Sequence, residues 1–255
     1  MAAGVDLNLR CILRNDDPRE PVVQILVGGS DLVTGVEAAD GFIGFDPADL
    51  LDSGALVPSD PPRRVALYRC SCGVAGCGCV AMVIEHRGET VVWSDARDYT
   101  GVYVRPVTDH NPTSGGRSLA LADLHFDAAQ YLSEVERAST DRSWESGIRR
   151  TARRLKAALA EQREEFRARG YLLGWVHPSY RAEGAIDVSF IGPSGQILVS
   201  LMPAPTLDPD IAEMVAVLTG DVRRWPVSHR TPMTAEQVAS AFNPEERPTA
   251  PIELG

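Results

Sequence analysis

Four of the five cysteines in this 255-residue chain fall within one short run, Cys70-Ser-Cys72-Gly-Val-Ala-Gly-Cys77-Gly-Cys79. Thiolate sulfur is a soft metal ligand and a nucleophile, so a cluster this dense in a chain with so few cysteines signals use of the thiols. Zinc takes four thiolates in a tetrahedron with Zn–S near ~2.3 Å, which brings the sulfurs within about 4 Å of one another. A straight strand sets residues i and i+2 too far apart for that. Gly73, Gly76 and Gly78 supply the bends, because glycine tolerates positive φ and close backbone approach. The spacing predicts a structural zinc ion held by Cys70, Cys72, Cys77 and Cys79. Free or redox-active thiols and an iron–sulfur cluster stay open as alternatives. So do the disulfides Cys70–Cys79 and Cys72–Cys77, which a reducing compartment disfavours. Were Cys79 not a ligand, three cysteines would leave a coordination position open, as catalytic zinc sites do.

The C-x-C-x4-C spacing of Cys70, Cys72 and Cys77 resembles the zinc tail that follows the catalytic domain of SET-type methyltransferases, without any other motif of those enzymes. The segment from Gly41 to Tyr103 is similar to a group of uncharacterised bacterial proteins. In those, a C-x-C-G-x-x-G-C stretch, here Cys70 to Cys77, precedes a V-V-W strand, here Val91-Val92-Trp93. That resemblance implies a shared fold and no particular activity.

Other reactive residue types are scattered. Cys11 lies on the apolar face of an alternating segment and reads as a core residue. His86, His110, His125, His177 and His229 show neither H-x-H nor H-E-x-x-H spacing, and His86 is the reserve ligand nearest the knot in sequence. Arg149, Arg150, Arg153, Arg154 and Lys156 make a basic stripe that reads as a solvated helix face, with Glu161, Glu164 and Glu165 following and no aromatic residues interleaved. Gly115-Gly116-Arg117-Ser118 lacks the frame of a phosphate loop and reads as a turn.

The elements that must position the cysteines follow from periodicity. Val5 to Arg14 alternates apolar and polar, and Pro21 to Val27 forms a second strand, so a hairpin is expected across Asn15-Asp16-Asp17-Pro18. Gly41 to Pro62, rich in Gly, Pro and Asp, reads as a surface connection with a short helix near Pro47 to Leu51. Arg64 to Tyr68 enters the knot as a strand, Val80 to His86 leaves it, and Thr90 to Ser94 returns beside it. After a strand over Ser118 to Leu124, a helix should begin at Ala128. Asp127 and Gln130 form its capping box, and Phe126 and Tyr131 its hydrophobic staple. A long helix is expected over Trp144 to Arg169, stopped by Gly170. Three strands follow over Tyr171 to Val176, Ala185 to Ile191 and Gln196 to Met202, then a helix opened by Asp208-Pro209 and closed by Gly220. Thr234 and Gln237 cap one more short helix before a polar tail.

The predicted class is α+β: an antiparallel β unit with the cysteine knot, then a long helix and a second antiparallel β unit with helices. The division is a β-rich half over 1–125, an α+β half over 126–242 and a flexible tail over 243–255. No apolar run is long enough for a membrane helix and the N-terminus lacks signal-peptide order, so a cytoplasmic chain is expected. A formal charge of −10 argues against binding nucleic acid with the whole surface. The functional expectation is a binding or interaction protein with a zinc-stabilised β unit and a protein partner. The alternative is an enzyme using the cysteine cluster or a pocket between the halves.

Overall fold

Alternation in the opening segment produces the expected hairpin: β1 (Leu7–Leu13) pairs antiparallel with β2 (Pro21–Val27), Leu7 opposite Val27 and Leu13 opposite Pro21. The computed structural model describes residues 4–17, 20–34, 41–72, 77–99, 108–109, 116–204, 210–233 and 238. Leu7 and Leu9 point into the core, and Cys11 packs half-buried against it. A short β3 (Ser30–Asp31) completes this first sheet beside β2.

The stretch expected to be a surface connection is instead part of the core. It forms β4 (Phe42–Gly44) and the single-turn α1 (Pro47–Leu50), and it buries Phe45, Leu50, Leu51, Ala55 and Leu56. Its Gly/Pro content bends the chain so that these side chains turn inward without a regular period. Val23 N–H donates to Phe45 O at 2.8 Å, which brings β2 against the residue following β4. At that crossing a Cβ on Gly44 would sit 1.9 Å from the Val23 carbonyl oxygen. Gly44→Ala is therefore expected to lower stability by about 3 kcal/mol, the upper range for overpacking against rigid backbone, read as a shift in the urea midpoint without change of slope.

The central sheet follows. In it β5 (Arg63–Cys70), β6 (Cys79–Arg87) and β7 (Thr90–Asp98) form an antiparallel meander. Beside them lie the two-residue β8 (Thr108–Asp109) on β5 and β9 (Arg117–Ser118) on β7. β10 (Leu124–Asp127) closes one edge and β4 the other, giving the order β10-β7-β6-β5-β4. The single strand expected over Ser118 to Leu124 thus splits into β9 and β10. Both faces of β6 are largely buried, as its unbroken apolar run implies.

Helix α2 (Ala128–Thr140) starts where its cap predicts, the Asp127 carboxylate accepting from Gln130 N–H at 2.9 Å. Phe126 and Tyr131 form the staple, ring centroids 5.4 Å apart. Gln130 does not close the capping box. Its side-chain oxygen accepts from Leu7 N–H at 3.2 Å and its amide donates to Leu7 O at 2.7 Å. One turn on, Glu134 accepts from Leu9 N–H at 2.6 Å, and Arg137 donates to Leu9 O at 2.6 Å. β1 is an edge strand, and its outward backbone groups, pressed against a helix, need partners more than the exposed helix start does. Residues at i, i+4 and i+7 share one helix face and match the two-residue repeat of the strand. Burial opposes the Glu134 charge, but the Arg137 guanidinium and Leu9 N–H outweigh it and hold the carboxyl below its ordinary value.

The first compact unit ends at Trp144 and the second begins at Glu145, so α2 belongs with the β-rich unit and the boundary falls later than the expected residue 125. Trp144, expected to start the long helix, lies ahead of it, its indole N–H donating to Asp141 O at 2.9 Å. The helix itself is two: α3 (Gly147–Glu161) and α4 (Arg163–Ala168), separated where Gln162 N–H bonds back to Leu159 O in a tightened turn. Gly170, at φ +80°, ends α4. Next come β11 (Leu172–Pro178), β12 (Ile186–Gly192) and β13 (Gly195–Leu201), then α5 (Ile211–Thr219) and β14 (Val227–Pro232). The four strands form one antiparallel sheet in chain order. Leu155, Leu159, Phe166, Val188, Phe190 and Trp225 centre its core. Asp210, two residues after the expected Asp208, caps α5. The short helix expected from Thr234 and the tail over 243–255 lie outside the described residues, apart from residue 238. Among the described residues no helix is long and apolar enough to cross a membrane.

Candidate metal centre

β5 ends at Cys70 and β6 begins at Cys79, so the cysteine run is the tip of a hairpin. Residues 73–76, with Gly73 and Gly76, lie outside the described residues; by sequence they are Gly-Val-Ala-Gly and carry no side chain that binds a metal. The described part of the tip is held from three directions. Cys70 N–H donates to Gly78 O at 3.0 Å, Ser71 N–H to Gly41 O at 2.9 Å, and Arg14, in the turn just after β1, donates to Ser71 O at 2.9 Å.

This anchoring brings Cys70, Cys72 and Cys77 together, with all three Sγ atoms within 4.8 Å of one another. Three such thiols can hold a metal ion. Cys72 and Cys77 are exposed and Cys70 is half-buried. Cys79 stands apart from this group. It pairs with Arg69, so pleating turns its side chain to the face opposite that of its neighbour Cys70. There it is 0 % exposed, packed into the apolar core of the first unit. The expected set of four sulfurs is therefore three at the hairpin tip and one in the core. None of the five cysteines is joined in a disulfide, so the alternative pairings Cys70–Cys79 and Cys72–Cys77 do not form.

Hydrogen bonds with Cys70, then with Cys72, push the Cys77 thiol up to about 11. A metal must displace that proton, since only thiolate ligates. Below this value the thiol is protonated and competes with the ion; as pH rises the competition falls. Apparent affinity is accordingly expected to rise by at least about tenfold per pH unit between pH 6 and 8, checked by competition with a chromophoric chelator. Burial, then the charge of Asp141, pushes Cys11 up to about 12, consistent with a core thiol that takes no part in ligation.

The other expected candidates do not join the centre. His86 lies seven residues along β6 from Cys79, roughly 23 Å away at ~3.3 Å per residue. His125 and His229 are exposed on β10 and β14, and His110 lies outside the described residues. The ring of His177 stacks on Tyr180, centroids 5.1 Å apart. In the basic stripe, Arg150, Arg154 and Lys156 are exposed and Arg153, its side chain 40% exposed, pairs with Glu145 at 2.7 Å, whereas Arg149 is buried, off the expected solvated face. Arg117 is paired with Asp98 at 3.0 Å. Sequence reasoning missed a row on the second sheet, where His177, Asp187 and Ser200 stand side by side. The Ser200 hydroxyl donates to Asp187. With the carboxylate in the middle, the row lacks the Ser–His–Asp order in which imidazole activates the hydroxyl. Only strand register, which becomes visible with both hairpins aligned, reveals it.

No family model matches the chain, and comparison with curated proteins and with solved structures finds no match.

Proposed function

We propose that the protein is a binding protein whose central sheet carries a zinc ion at Cys70, Cys72 and Cys77. The observation that carries this reading is the approach of the three sulfurs to within 4.8 Å at an anchored hairpin tip. Three sulfur donors select soft or borderline ions, and zinc needs no redox partner. The same reading places the chain beside the bacterial proteins with the C-x-C-G-x-x-G-C segment, with a protein partner and a cytoplasmic location. Metal analysis of protein purified without added metal tests it, joined to thiol titration before and after a chelator. The reading expects about one zinc per chain and three thiols that react only after chelation. Metal-free protein whose three thiols react at once would overturn it.

A second reading, an enzyme acting through these thiols, is favoured by the exposure of Cys72 and Cys77. Against it stands the raised Cys77 thiol, since a nucleophilic cysteine needs a lowered value.

A further inference from the structure

We infer that the metal centre is open on its outer side, and that its fourth coordination position takes a soft exogenous donor, a small-molecule thiolate. The inference rests on the metal reading above and goes beyond it by naming the ligand that the held ion would bind.

Three observations carry it. First, the fourth sulfur of the run is badly placed to ligate, because Cys79 is opposite Arg69, on the other face of the strand from Cys70, and is enclosed by the core. Bringing it to the ion would require a one-residue slip that turns every side chain of β6 to the other face of the sheet. Secondly, among the described residues no further His, Cys, Asp or Glu joins the three cysteines. Thirdly, the described part of the tip is fastened by hydrogen bonds from Cys70 N–H to Gly78 O, from Ser71 N–H to Gly41 O and from Arg14 to Ser71 O. That anchoring sets Cys70 and Cys72 beside Cys77.

A divalent zinc on three thiolates satisfies three corners of its tetrahedron, and an open fourth corner is the mark of zinc sites that bind exchangeable ligands. Cys72 and Cys77 are exposed, so the approach to that corner is from solvent. Water there is a hard, neutral donor on an otherwise all-sulfur ion. A thiolate matches the softness of the set and displaces it. The exchange is a ligand substitution: a metal–oxygen bond breaks, a metal–sulfur bond forms, the thiol's proton passes to bulk water, and no electron moves.

Cobalt(II) in place of zinc makes the number of sulfur donors visible as the intensity of the sulfur-to-metal charge-transfer band. The experiment loads the full chain with cobalt(II) without oxygen and titrates it with 2-mercaptoethanol, on the native protein and on Cys79→Ala. The expected result is a band that grows by about a third to a saturating level, in proportion to sulfur donors bound, with the same starting and final intensities in both proteins. An unchanged native band on adding thiol overturns the inference. So does a starting band that falls by about a quarter in Cys79→Ala, which would make Cys79 the fourth ligand. The titration of the native protein decides alone if the variant does not fold. Absence of any charge-transfer band on cobalt loading would sink the metal reading itself, a different outcome from a band that ignores the thiol.

Discussion

Serine at Cys70, Cys72 or Cys77, one at a time, is expected to lower zinc affinity by at least about a hundredfold, while Cys79→Ala leaves it within about twofold. Ligand number sets the difference. Outer-shell partners of a metal ligand already cost 10–100-fold when removed, and here each substitution would remove one of the three sulfurs proposed to hold the ion. Serine keeps the size of the side chain but replaces a soft donor with a hydroxyl that zinc at neutral pH does not deprotonate from such a set. Cys79→Ala, by contrast, touches a 0 % exposed core position. It should appear as a stability change of about 1 kcal/mol, with the zinc isotherm preserved. Competition with a chromophoric chelator measures the first effect and urea unfolding the second. Equal loss of zinc in all four variants would show that sequence clustering, and not strand pleating, selects the ligands.

Residue type and spacing alone do not separate these cysteines. In sequence, Cys77 and Cys79 form a C-x-C pair like Cys70 and Cys72, and nothing local distinguishes them. What separates them is register. Arg69 opposite Cys79 puts that sulfur on the inner face, while Cys77, two residues earlier and ahead of β6, is exposed. Register depends on the partner strand, and β5 bears a bulge between Ala66 and Tyr68 that alternation alone does not announce. The same holds for Gln130. The pattern Asp127-x-x-Gln130 predicts a capping box and places the start of α2 correctly, yet the glutamine serves Leu7, far away in sequence. Features stated by neighbouring residues were legible: the β1–β2 hairpin, the Asp127 cap and the Gly170 stop. The inward turn of Phe45, Leu50 and Leu56 was not, because a bent segment has no period. Nor was β14, whose residues Val-Ser-His-Arg-Thr-Pro are mostly polar because its strand closes the sheet edge with one side to solvent.

The largest stability loss is expected at Trp93, a position the cysteine cluster does not touch. The indole is fully buried on β7, edge-on to Phe126 at 5.3 Å and to Tyr131 at 6.0 Å between centroids. Its N–H donates to the Tyr131 hydroxyl at 3.1 Å, and that hydroxyl donates to Leu56 O at 2.7 Å. One chain of bonds thus ties the central sheet to α2 and to the segment after α1. Burial pushes the Tyr131 phenol well above its ordinary value, so it stays a neutral donor throughout the accessible pH range. Trp93→Ala removes the packing and empties a large volume, and about 4 kcal/mol should be lost, a substantial fraction of the 5–15 kcal/mol typical of a domain. Tyr131→Phe keeps the ring and deletes only the hydroxyl, leaving the Trp93 N–H and the Leu56 carbonyl without their shared partner. That variant should lose about 2 kcal/mol. In a Trp93→Phe background, where the indole donor is gone, the same deletion strands one group instead of two, and its cost should fall by about 1 kcal/mol. Strict additivity across this cycle would mean that the rings act by packing alone and that the hydrogen-bonded chain contributes nothing of its own.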